Sequence, residues 1–220
     1  MLSTADLRPE VVLPVRFRDR TLDTFEGSPT AAAAARRLAT GQITNLVLSG
    51  PTGVGKTHLA AGIARLWWER EWQQFERKRG AERLERDAEI AALVPWERIR
   101  WRVRQPEAPV WVNVAEAMSN LRSEIGGDER PAEESLRRLR DHGSLVVLDD
   151  LGREKVSDWT SEVVYVLVNC RYESMVPTVV TTNLTGAELA ASSYWPVISR
   201  LAEGGGLIRI EAADRRLRRA

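Results

Sequence analysis

The segment Gly50-Pro51-Thr52-Gly53-Val54-Gly55-Lys56-Thr57 decides how this chain is read. It follows a short apolar run, Ile43 to Ser49 (ITNLVLS), and opens an apolar stretch, HLAAGIARLWW. That order predicts strand, loop, helix. The spacing is that of G-x-x-x-x-G-K-[ST], a phosphate-binding loop. Its glycines let backbone N–H groups turn inward around phosphate oxygens. The helix that follows adds partial positive charge at its N-terminus. Lys56 can reach β- and γ-phosphates, and the Thr57 hydroxyl is a ligand for Mg²⁺. Gly50 through Thr57 are therefore the candidate nucleotide-binding residues. His58 is grouped with them as a helix residue packed beside the site, not as a catalyst.

Outward from this loop, strand-like and helix-like segments alternate. Upstream, Ser28-Pro29 reads as a helix cap with proline at the first helical position, followed by the Ala-rich stretch 30–39. Downstream, strands are expected at Val110 to Val114, Leu145 to Leu148, Pro177 to Thr181 and Leu207 to Glu211. Helices are expected at 115–125, 131–140, 157–172 and 194–203. The pattern predicts a three-layer α/β fold with a mainly parallel sheet. Residues 1–27 read as an irregular lead-in, and 28–220 as the core.

Three further motifs carry chemistry. Leu145-Val-Val-Leu ends in Asp149-Asp150. A carboxylate at the end of a strand beside a phosphate-binding loop holds Mg²⁺. Asp149 fits that role, and Asp150 is placed to polarise an attacking water. Asn183 ends the strand 177–181 and can orient that water from the γ-phosphate side. Arg200, in Ser199-Arg200-Leu201, is either one of many surface arginines or a cation that stabilises transition-state charge, in cis or from a neighbouring subunit. The first alternative has weight, because only three of 32 basic residues are lysine.

Together, GPTGVGKTHLA (50–60), LVVLDDLGREKVSDW (145–159), VNCRYESMVPTVVTTNL (168–184) and VISRLAEGGGLIRI (197–210) resemble the DnaC/IstB family of AAA+ ATPases. The resemblance covers residues from about 17 to 216, apart from 67–108. It implies an AAA+ core that uses ATP with Mg²⁺ at subunit interfaces, hence an ATP-dependent homo-oligomer. It places the water-orienting sensor at Asn183 and an arginine finger at Arg200. It implies a replicative DNA helicase as partner, with single-stranded DNA as a further one. An IstB-like transposition helper with a transposase partner and a non-hydrolysing ATP-gated adaptor remain as alternatives. Two departures stand out: Asp149-Asp150 replaces the Asp-Glu of many relatives, and the short C-terminal end leaves no room for a helical lid.

Composition bounds the rest. The formal net charge is +1 over 220 residues, so any nucleic-acid site must be a local patch. One cysteine, Cys170, excludes an internal disulfide framework. It is expected to be a small buried hydrophobe. The start lacks the apolar core of a secretory signal, and no run is long enough to span a membrane, which leads to a cytoplasmic expectation. Residues 67–108 hold five of the eight tryptophans and read as an insertion made of an extended helix and a hairpin. Within it Arg98, Arg100, Arg102 and Arg104 alternate as one strand face would. A packed insertion is favoured over a partner-docking arm or a DNA contact, because tryptophan more often fills a core than stacks on a base. Arg171 is expected either to form a structural ion pair or to reach a neighbour's nucleotide.

Overall fold

A computed structural model describes residues 13–89, 105–124, 130–154 and 157–211. Five strands form one sheet: β1 (Asn45–Ser49), β2 (Val110–Asn113), β3 (Val146–Leu151), β4 (Thr178–Thr182) and β5 (Leu207–Arg209). Their order is β2-β3-β4-β1-β5, and every pairing is parallel. Thus β4 lies between the strand that leads into the phosphate loop and the strand that carries the two aspartates.

The strands divide their side chains between two apolar layers because successive residues point to opposite faces. Leu46, Leu48, Val147 and Val179 join one core. Val47, Val146, Leu148 and Val180 join the other. The first layer is closed by α1 (Pro29–Ala39) and α2 (Lys56–Glu89), through Ala31, Ala35, Leu38, Leu59 and Ile63. The second is closed by α3 (Val114–Glu124), α5 (Asp158–Glu173), α6 (Gly186–Ala191) and α7 (Trp195–Gly205), with α4 (Arg130–Asp141) beside α5. Each fully buried Val, Leu or Ile contributes about 1.5–3 kcal/mol. The three-layer α/β expectation is met.

Local signals set the helix ends. Ser28 accepts a hydrogen bond from the Ala31 N–H at 3.2 Å, with Pro29 at the first helical position. Ser157 and Thr160 form a reciprocal cap at the start of α5. α6 was not anticipated, yet Thr185-Gly-Ala-Glu188 is a capping box, Thr185 and Glu188 each satisfying the other's backbone N–H. α7 ends against β1 so closely that a Cβ on Gly205 would lie 1.4 Å from the Asn45 carbonyl oxygen.

α2 is long, 34 residues, and carries the start of the insertion. Trp68, Trp72 and Phe75 recur on one helical face and are buried, with consecutive ring centroids 5.6 and 5.3 Å apart. Ala108 packs against them. These rings fill a small core of their own. The Arg98–Arg104 alternation, Trp96 and Trp101 lie outside the described residues.

Two expectations are corrected. Cys170 is half-buried, because Leu167, Val168 and Arg171 occupy the inward face of α5 and position 170 falls at its edge. Among the described residues Arg171 pairs with no carboxylate, and it does not face solvent. It is fully buried, and its guanidinium donates to the carbonyls of Leu139, His142, Ser144 and Pro177 and to the Thr178 hydroxyl, at 2.7–3.1 Å. Burial lowers its pKa to about 10. The side chain ties the segment entering β3 to the segment entering β4.

Candidate nucleotide-binding site

Parallel strands put all their carboxyl ends on one edge of a sheet, and ligands gather there. The ends of β1, β3 and β4 bring the phosphate loop, Asp149-Asp150 and Asn183 to one cavity of about 630 Å³. That volume lies within the range of small-molecule sites, about 300–1,000 Å³.

Lys56 is nearly buried, and its ammonium is held by three oxygens. It donates to the carbonyls of Gly50 at 2.7 Å and Pro51 at 2.8 Å, and to Asn183 Oδ1 at 2.7 Å. The loop thus aims its own lysine at the residue that ends β4. Gly55 is needed twice over: its φ is +102°, and a Cβ there would lie 2.7 Å from the Phe25 ring. Val54 points the other way and is buried in the first core.

The Thr57 hydroxyl donates to Asp149 Oδ1 at 3.3 Å, and the Thr181 hydroxyl donates to the same oxygen at 2.6 Å. Burial raises the Asp149 carboxyl above the ordinary carboxylate range, and the Asp150 charge beside it adds to the shift. Hydrogen bonds from Thr181 and Thr57 oppose it. A buried carboxylate and a hydroxyl within 3.3 Å form a hard-oxygen pair of the kind Mg²⁺ takes from proteins, so these residues fit that ion.

Asp150 sits on a β-bulge. Leu148 pairs with Val180 but Leu151 pairs with Thr182, so β3 carries one residue more than β4 there. Bulges re-aim side chains. Asp150 takes φ +61°, a conformation aspartate tolerates better than most residues. Its N–H donates to Thr181 Oγ1 at 2.9 Å, and its carboxylate lies 3.3 Å from Arg153 Nη1. Both Asp150 and Arg153 line the cavity.

No protein-family model matches the sequence, and neither does any curated protein. Solved structures do match. The crystal structure of the DnaC helicase loader is 22% identical, covering 90% of this chain and 100% of that one, with a TM-score of 0.62. DnaI is 19% identical, covering 93% and 95%, with a TM-score of 0.61. The chain shares the fold of these two proteins. The replication initiator DnaA bound to AMPPCP and single-stranded DNA shares it at 17% identity and a TM-score of 0.60, over 91% of this chain and 51% of that one.

On this fold the predicted residues separate into three groups. Thr52, Gly53, Gly55, Lys56, Thr57, His58, Asp150 and Asn183 line the cavity. Gly50, Pro51 and Asp149 reach it through their bonds to Lys56 and Thr57. Arg200 does not line it: α7 carries that guanidinium over the Tyr165 ring, 5.2 Å from the centroid. Sequence reasoning missed the lead-in. Arg16, Phe17, Arg20, Thr24, Glu26 and Gly27 line the same cavity. Leu13 and Leu22 anchor that segment in the first core. His58 Nε2 meets the Thr21 carbonyl at 2.9 Å and Thr24 Oγ1 at 3.1 Å, and its ring meets the edge of Phe25. The apolar positions Leu13, Phe17, Leu22 and Phe25 were the available signal, and they follow no single helix or strand period. Among the described residues, no helix is long and apolar enough to cross a membrane.

Proposed function

We propose that this chain is an ATP- and Mg²⁺-dependent helicase loader of the DnaC type, acting in DNA replication and hydrolysing ATP at interfaces between its own copies. The observation that carries the reading is the joined set Lys56–Asn183 and Thr57–Asp149 at one cavity. Chance placement of a phosphate-loop sequence does not bring a carboxylate strand and a polar strand end onto its lysine and threonine. Lys56 and the loop amides hold phosphate oxygens. Thr57 and Asp149 hold the ion, which when bound neutralises phosphate charge. Asp150 accepts the proton of the attacking water, and Asn183 orients that water. Arg200 is turned away from its own cavity, which favours its use at a neighbour's. The likeness to the DnaC helicase loader and to a DnaA structure holding single-stranded DNA supports a helicase and single-stranded DNA as partners.

The test is ATP turnover with and without single-stranded DNA and a replicative helicase, with mass by light scattering. Wild type is expected to gain mass with ATP and to hydrolyse it. Lys56→Ala is expected to lose binding, and Arg200→Ala to keep binding and lose turnover by on the order of 10³-fold. A monomer that turns over independently of Arg200 would refute the interface reading. Response to a transposase and not to a helicase would refute the loader role alone.

A further inference from the structure

α5 and α7 pack side by side, and their shared outer surface holds an unusual group of four side chains. Arg200 lies with its guanidinium carbon 5.2 Å from the Tyr165 ring centroid, within cation–π range. Its Nη1 is buried and meets no hydrogen-bond partner among the described residues. One helical turn on, Glu203 is the natural ion-pair partner for Arg200, since residues three apart share a helix face. That pair does not form. Instead the Tyr172 hydroxyl donates to Glu203 Oε2 at 3.0 Å. This bond, with the charge of Glu203, raises the Tyr172 pKa, while Arg200 nearby pulls the other way. The two tyrosines are seven residues apart on α5, so they stand on one face two turns apart. Tyr165 thus carries the guanidinium on its ring, and Tyr172 holds the carboxylate that could have paired with it.

We propose that Tyr165 and Tyr172 are positioning residues for Arg200: Tyr165 presents the guanidinium on its ring, and Tyr172 holds the Glu203 carboxylate so that it does not capture the charge. The proposal rests on the reading that Arg200 serves the nucleotide of a neighbouring copy. A finger quenched by its own glutamate would bring no net positive charge to a γ-phosphate. A finger free to rotate would lose geometry, and small misplacements at a reacting centre cost up to about 10²-fold in rate. Tyr165 is 38% exposed and Arg200 half-buried, so an approaching copy can reach both.

Subunit mixing tests this. The acceptor is Arg200→Ala, with an intact nucleotide site. The donor is Lys56→Ala, with an intact Arg200. Mixing the two should restore ATP turnover. Adding Tyr172→Phe to the donor should then lower the restored kcat about 10-fold with the acceptor's KM for ATP unchanged. Combining Tyr172→Phe with Glu203→Gln in the donor should recover it, because glutamine carries no charge to capture the finger. Tyr165→Phe should keep the restored rate, and Tyr165→Leu should lower it by a similar factor. If the unmodified donor restores nothing, the neighbour-site reading fails and the positioning role falls with it. If the unmodified donor works and every tyrosine variant works equally well, only the positioning role is overturned. Persistence of the Tyr172→Phe defect in the Glu203→Gln donor would overturn the role given to Tyr172.

Discussion

Arg171 and Asp149 are the two buried charges whose surroundings differ most in kind. Arg171 has no carboxylate near it among the described residues, and five acceptors take its five N–H groups. Replacing it takes the guanidinium donors from the carbonyls of Leu139, His142 and Ser144, while that of Pro177 keeps the Val146 N–H. Arg171→Met should therefore destabilise the fold by about 3 kcal/mol or more, read as a lower urea midpoint at unchanged slope. Arg171→Lys should recover little, since three donors cannot span five acceptors. Asp149 is the opposite case. Its carboxyl is raised by burial, so the charged form is disfavoured in the folded state. Below the ordinary aspartate pKa of about 3.9 both states are protonated and no cost arises. The cost grows as pH rises through the window between that value and the raised one, and is complete above it. Asp149→Asn should thus stabilise the protein on the order of 1 kcal/mol at pH 7 in EDTA, with the gain fading near pH 4. The same variant should lose Mg²⁺-dependent turnover. A loss of stability at pH 7 would mean that the Thr57 and Thr181 hydrogen bonds outweigh the desolvation of the charge.

At the scale of elements, the β3 bulge shows where sequence reading stops. The apolar run Leu145 to Leu148 predicts a strand that ends before the aspartates, but the strand continues to Leu151. The extra residue is visible only against β4, because a bulge is a property of a pair of strands. The strand alternation, the Ser28-Pro29 cap and the phosphate loop were legible, since each depends on neighbours within a few residues. The lead-in wall was not, because its contacts to His58 and Gly55 span thirty residues or more. Arg171 was singled out but misread for the same reason: its acceptors come from two separate segments, 139–144 and 177–178. The bulge also yields a test. Asp150 at φ +61° occupies a conformation that glycine adopts without strain. Asp150→Gly should therefore keep the fold, within about 1 kcal/mol, while removing the carboxylate. Asp150→Val, β-branched at a positive φ, should cost stability as well as turnover. Equal melting of the two variants would show that the local backbone relaxes freely.

For the whole molecule, the cavity joins two parts that the sequence presents as separate: a lead-in and a core. One wall comes from the strand ends and the other from residues 16–27. A ligand that bridges both walls must stabilise the lead-in along with the loop. Binding to the folded state alone adds RT ln(1 + [L]/Kd), about 2.7 kcal/mol at a hundredfold excess over Kd. That gain should be shared across the bridge. Amide hydrogen exchange in residues 16–27 should slow on adding Mg²⁺ with a non-hydrolysable ATP analogue, in parallel with residues 50–57 and the segment around Asn183. Lys56→Ala should abolish all three changes together. Phe25→Ala tests the coupling from the other side. It removes the ring that meets His58 and covers Gly55, so it should weaken protection of the lead-in and reduce analogue affinity while leaving exchange in β3 and β4 unchanged. Protection confined to residues 50–57, with the lead-in exchanging at its ligand-free rate, would show that the nucleotide is held by one wall alone. In that case the lead-in is free to serve another partner while the site is filled.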